Sequence, residues 1–135
     1  MKHLSVMYLE DQDSHEYLFS NLMTVAGKAR GIEVDVKTIH GLDEVPPGPL
    51  YDVILIDLVL EHSDRYDTFA WIAAHHEHMP TIVVLSGHED CDEESLLRGA
   101  HDFVAKADVV RAPEAFIQRL KLDVIRHRIH KRQFA

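Results

Sequence analysis

Tyr51-Asp52-Val53-Ile54-Leu55-Ile56-Asp57 carries the strongest strand signal in the chain. Four apolar residues run without a break, three of them β-branched, and acids stand on both sides. The run is too short for a buried helix and lacks the alternation of a half-exposed strand. It reads as a strand buried on both faces, the kind found in the middle of a parallel sheet. Asp57 closes it. Three more apolar runs end in polar chemistry: Leu4–Leu9 in Glu10-Asp11, Ile82–Leu85 in Ser86-Gly87, and Phe103–Ala105 in Lys106. In an open parallel sheet the ligand site lies outside the carboxyl ends of the strands. The inferred site is therefore acidic, edged by one hydroxyl and one amine. That chemistry suits a hard divalent cation beside a carboxylate that accepts a phosphoryl group.

Helical patterns separate the strands. After Leu4–Leu9, the residues Leu18, Leu22, Val25 and Ala29 share a face, with Asp13 or Ser14 as cap and Gly27 and Gly31 at the far end. Ile32–Ile39 sets Ile32, Val34 and Val36 against Glu33, Asp35 and Lys37, as a strand near a sheet edge does. Gly41–Leu50 contains Pro46, Pro47 and Pro49, which leave room for a short turn around Leu42–Val45 and no full helix. A third helix is expected from Asp64 or Tyr66 to His76, with Phe69, Ile72 and Ala73 inward. Strand 4 is Thr81–Leu85. A fourth helix starts among the acids Glu89–Glu94 and stops at Gly99. Strand 5 is Asp102–Ala105, and a fifth helix opens at Pro113-Glu114. Alternating strands and helices give a doubly wound α/β sheet. Five strands favour the flavodoxin-like order 2-1-3-4-5, with a degenerate second helix. Its switch point between strands 1 and 3 gathers Glu10, Asp11 and Asp57.

In their order along the chain, Glu10-Asp11, Asp57, Ser86-Gly87 and Lys106 resemble the CheY-like receiver domain of two-component response regulators. The resemblance runs from about Lys2 to Arg126. It implies that Asp57 takes a phosphoryl group from a phosphohistidine of a histidine kinase or phosphotransfer protein. It implies Mg²⁺ held by Asp11, Asp57, the backbone carbonyl of Val59 and, through water, Glu10. Lys106 and Ser86 then meet the phosphoryl oxygens. Ser86 and Phe103 form the switch, and His88, two residues past Ser86, is a modulator of phosphoryl loss. Output is expected through helix 4, strand 5 and helix 5, toward an output domain or protein or within a homodimer. The chain departs from the family around Gly41–Leu50, where a second helix is usual, and in two further places. Ala107 follows the lysine where proline is usual, so a trans bond is expected there. The loop after Asp57 reads Leu60-Glu61 and Asp64-Arg65 in place of methionine-proline and aspartate-glycine. Phe103 carries no hydroxyl.

The chain has 135 residues, enough for one domain with a substantial core. Residues 1–126 are expected to form the receiver and 127–135 a basic extension of the last helix, leading toward an output domain. No apolar stretch approaches the roughly 20 residues that span a bilayer, and the single Cys91 forms no internal disulfide, so a cytoplasmic setting is expected. The formal net charge of −9 argues against direct nucleic-acid binding. Arg119–Arg132 nonetheless carries six Lys/Arg against Asp123, a local charge of +5 on a body of −14. In the last helix Ile117, Leu120 and Val124 face the core, while Leu122, Ile125 and Ile129 form a second stripe about 140° away. His75, His76 and His78 read as a solvated helix end, and His62 and His88 as loop residues beside the site.

Two other readings compete with the phosphorylated switch. A pseudo-receiver would bind partners without phosphorylation. A haloacid-dehalogenase-type phosphatase also sets an aspartate at a strand end, but typically needs a second aspartate two residues on, where this chain has Val59. The chain is expected to be no enzyme beyond self-catalysed phosphorylation and dephosphorylation.

Overall fold

The structure is a computed structural model that describes residues 1–46, 48, 50–58, 65–86, 96 and 98–134. Its five strands are β1 (His3–Leu9), β2 (Glu33–Ile39), β3 (Val53–Asp57), β4 (Thr81–Ser86) and β5 (Asp102–Ala105). They form one sheet, ordered β2-β1-β3-β4-β5, with every pair parallel. Among the described residues the helices are α1 (Asp13–Ala29), α2 (Arg65–His75), α3 (Lys106–Arg111) and α4 (Pro113–Phe134), with 3₁₀ turns at Leu42–Glu44 and His76–His78.

The apolar runs supply two core layers at once, because successive side chains on a strand point to opposite faces. Leu4, Val6, Tyr8, Val53, Leu55, Val83 and Leu85 pack under α1 and α4, against Met23, Ala26, Ile117, Leu120 and Val124. Met7, Leu9, Ile54, Ile56, Ile82 and Val84 face the other way, against Phe69 and Ile72 of α2. The edge strand β2 alternates as expected: Ile32, just before it, and Val34 are buried, and Glu33, Asp35 and Lys37 are exposed. Among the described residues no helix is long and apolar enough to cross a membrane.

Some local expectations need correction. In α1 the buried face is Met23 and Ala26, flanked by Phe19 and Leu22, whereas Leu18, Val25 and Ala29 are exposed. The cap of α1 is Gln12, which makes no side-chain capping hydrogen bond, and Asp13 is already helical. In α2 Thr68 is buried and Ala73 exposed, since Thr68, Phe69 and Ile72 form the stripe one step round from the expected one. The helix α3 was not expected at all. The third helix's expected start at Asp64 and the fourth helix's expected start at Glu89–Glu94 lie outside the described residues.

The end of α1 fixes how the chain enters β2. Ile32 N donates to Gly27 O at 2.8 Å and Gly31 N to Lys28 O at 3.2 Å, a Schellman pair with Gly31 at φ 72°. Gly27 lies where the helix crosses β2, and a methyl there would meet Val34 Cγ2 and the Ile32 carbonyl oxygen at 2.8 Å. Gly→Ala ordinarily stabilises a helix by about 1 kcal/mol. Overpacking against backbone costs about 1–3 kcal/mol and wins here. Gly27→Ala is therefore expected to lower stability in urea unfolding; an unchanged or raised midpoint would refute the close approach.

Candidate functional site

Register brings the expected residues to one end of the sheet. Asp57 pairs with Leu85, so Ser86 stands one residue beyond it on the neighbouring strand, itself paired with Ala105. Lys106 follows Ala105 directly. Leu9 pairs with Ile56, which sets Glu10 and Asp11 beside Asp57 across the switch point. Glu10, Asp57 and Ser86 are buried, and Asp11 and Lys106 are half-buried. The expected positions of Glu10, Asp11, Asp57, Ser86 and Lys106 all lie at this end. Val59, Gly87, His62 and His88 lie outside the described residues.

The Lys106 ammonium donates to Asp57 Oδ2 in an ion pair. Lys106 holds this reach because it is the first residue of α3, not a loop residue. Val109, one turn on, is buried beneath α1 and α4 and anchors the helix to the core. All described peptide bonds are trans, including Lys106–Ala107.

Glu10 is held in place by its own neighbours. Its backbone N–H donates to Ile39 O at 3.0 Å; Tyr8 Oη donates to its Oε2 at 3.0 Å, and Gln12 N to its Oε1 at 3.2 Å. Burial, then the adjacent Asp57 carboxylate, pushes Glu10 above the usual carboxylate range, and the Tyr8 and Gln12 donors only partly offset this. Burial and the Glu10 charge likewise push the Tyr8 phenol up. Tyr8 was missed by sequence reasoning. It sits two residues before Glu10, on the same face of β1, and that spacing is the signal that could have found it.

Phe103 is half-buried and packs against the α2-side layer. Its strand is clamped to α4. Arg119 Nε donates to Asp102 Oδ2 at 2.6 Å, and Arg119 Nη2 donates to Asp102 Oδ1 at 2.7 Å and to the Phe103 carbonyl at 3.1 Å. The backbone at Phe103 is thereby held to α4. On the other side of Lys106 an apolar cavity of about 400 Å³ opens between α1 and α3, lined by Tyr8, Phe19, Leu22, Leu85 and Val109 among others.

Three carboxylates and one amine make up the donor set. Oxygen-only ligands suit Mg²⁺ or a similar hard cation, and burial together with the neighbouring Asp57 raises Glu10 where an ion would favour its charged form. Glu10, Asp11 and Asp57 therefore fit a divalent ion.

No protein-family model matches the chain, and no curated protein matches it in sequence. Solved structures do match in shape. The receiver domain of Francisella response regulator 1452 is 16% identical, with a TM-score of 0.61 over 92% of this chain and 98% of that one. A two-component response regulator from Clostridium difficile is 13% identical, with a TM-score of 0.62 over 87% and 94%. The Mn²⁺-bound form of response regulator Rcp1 is 18% identical, with a TM-score of 0.58 over 83% and 90%. The chain has the fold of a response-regulator receiver domain.

Proposed function

We propose that the chain is a phosphorylation-dependent signalling switch with Asp57 as its acceptor. The observation that carries this reading is the buried Asp57 at the end of the central strand, ion-paired to Lys106 and crowded by Glu10. An oxygen of Asp57 forms a bond to phosphorus as the phosphorus–nitrogen bond of a phosphohistidine breaks. The departing imidazole nitrogen takes a proton from solvent. Asp11 and Asp57, with Glu10 through water, would hold Mg²⁺, together with the Val59 carbonyl in the set that the resemblance implies. Bound there, the ion supplies positive charge that offsets the carboxylates' repulsion and the charge of the phosphoryl oxygens. Lys106 leaves Asp57 for a phosphoryl oxygen, and the Ser86 hydroxyl donates to another. The change reaches α4 through Phe103 and the Arg119 clamp. Leu122 and Ile129 stand exposed on α4 and offer an apolar surface for an output protein or a second copy. The donor is a cytoplasmic histidine kinase or phosphotransfer protein.

Acetyl phosphate with Mg²⁺ is expected to add one phosphoryl group to the parent chain and none to Asp57→Ala, read by intact mass. Equal gains in the two chains would overturn the assignment. No gain in either would favour partner binding without phosphorylation.

Mg²⁺ is also expected to raise the parent's melting temperature by mass action. Asp11→Asn should melt higher than the parent without Mg²⁺, having one carboxylate fewer to repel its neighbours, and should respond little to the ion. A thermal scan showing the same Mg²⁺-induced rise in both would remove Asp11 from the ligand set.

A further inference from the structure

The sheet face opposite α1 and α4 is covered unevenly. α2 covers it over β3 and β4. Between β2 and β3 the described chain forms only the turn Leu42–Glu44. Side chains that a covered parallel sheet would make apolar are polar here. Glu33 and Asp35 of β2 are exposed on this face, and the β1–β2 register pairs His3 with Glu33 and Ser5 with Asp35. His3 Nε2 lies 2.5 Å from Asp35 Oδ2, and one ligating atom from each of His3, Glu33 and Asp35 lies within 4.8 Å of the other two. Among the described residues no other group of three histidines, cysteines or acids comes as close.

We propose that His3, Glu33 and Asp35 form a divalent-metal site of the zinc class. Its chemistry differs from that of the carboxylate site. One imidazole and two carboxylates suit Zn²⁺, Co²⁺ or Ni²⁺, with water completing the shell, whereas an oxygen-only set suits Mg²⁺. The two sites lie at opposite ends of β1, about 20 Å apart by strand rise. Coordination replaces the His3–Asp35 hydrogen bond and ties the N-terminal strand to the edge strand. Among the described residues no helix covers β2 here, and a helix in that place would require apolar residues at these positions. The inference does not rest on the phosphoryl-acceptor reading.

Isothermal titration of Zn²⁺ into the full chain, with Mg²⁺ in excess, tests it. The parent and Asp11→Asn are expected to bind one zinc equivalent with equal affinity. His3→Ala and Asp35→Asn should bind it at least about tenfold more weakly, since even outer-shell losses cost roughly 10–100-fold. All three ligands are exposed, so the variants should keep the parent's melting temperature in metal-free buffer. Equal zinc affinity in the parent and His3→Ala would mean an adventitious ion only, held by other histidines, and would overturn the proposal. So would loss of zinc in Asp11→Asn, which would move the ion to the carboxylate site, or a parent that binds none.

Discussion

Acidifying the chain from pH 7 to pH 4 is expected to remove roughly 3 kcal/mol of stability through two histidines, after halving the full linkage for solvent screening. His101 and His127 lie against each other at a tilt, with ring centres 3.8 Å apart, where α4 crosses the start of β4. The Ile82 backbone N–H donates to His101 Nδ1 at 2.9 Å, and His127 Nδ1 shares a hydrogen bond with Thr81 Oγ1 at 2.8 Å. Burial first, then the His127, His76 and Lys131 charges, lowers His101 to about 4. Burial, then Lys131, His130 and Arg128, lowers His127 to about 4. A protonated His101 also could not accept from Ile82. Both rings are thus held neutral in the fold, and the unfolded chain binds more protons at mildly acid pH. The stability they contribute is complete above the ordinary imidazole value of 6.5 and drains away as pH falls toward 4. Asn in place of each His keeps a short polar side chain and cannot titrate. Urea unfolding of the chain carrying His101→Asn and His127→Asn should therefore show a flatter acid limb; the same slope as the parent would refute the pair's role.

Lys106→Ala is expected to destabilise the chain by about 2 kcal/mol, and adding Asp57→Asn should recover most of that loss. Removing one partner of a buried pair strands the other charge and costs about 3–5 kcal/mol. Asp57 is buried, with 2% of its side chain exposed, but Lys106 is 39% exposed, so water screens part of the cost. Glu10 raises it again, because its carboxyl group lies beside Asp57. Asp57→Asn removes that charge, which makes the two changes strongly non-additive. Additive effects in a double-mutant cycle by urea unfolding would mean that the ion pair contributes nothing to the folded site.

The sheet was legible because the decisive strands are buried on both faces. Val53–Ile56 and Ile82–Leu85 leave no alternative to a central position, and Ile32–Ile39 none to an edge. The site followed, because strand order and the identity of each strand-end residue are both in the sequence. The helices were harder to read. α1 carries Leu18, Val25 and Ala29 as well as Phe19, Met23 and Ala26, two stripes of similar apolarity. Which one meets the sheet is set by the Gly27–Ile32 exit, a tertiary constraint that spacing does not contain. α3 escaped notice because Val109-Val110 has little helical preference. Burial of Val109 overrides that preference, and Arg111 bonds Asp108 one turn away at 2.5 Å. Tyr8 was read only as part of a strand, since its donation to Glu10 depends on both side chains turning to one face.

In the proposed switch the Asp57 carboxylate itself becomes an acyl phosphate. Borohydride reduces an acyl phosphate to an alcohol and leaves free carboxylates unchanged, so peptide masses locate the modified residue. After acetyl phosphate, Mg²⁺ and borohydride, reduction is expected at Asp57 alone, dependent on Mg²⁺. Reduction at Glu10 or Asp11, or an unreduced Asp57 in a chain that has gained a phosphoryl group, would contradict it.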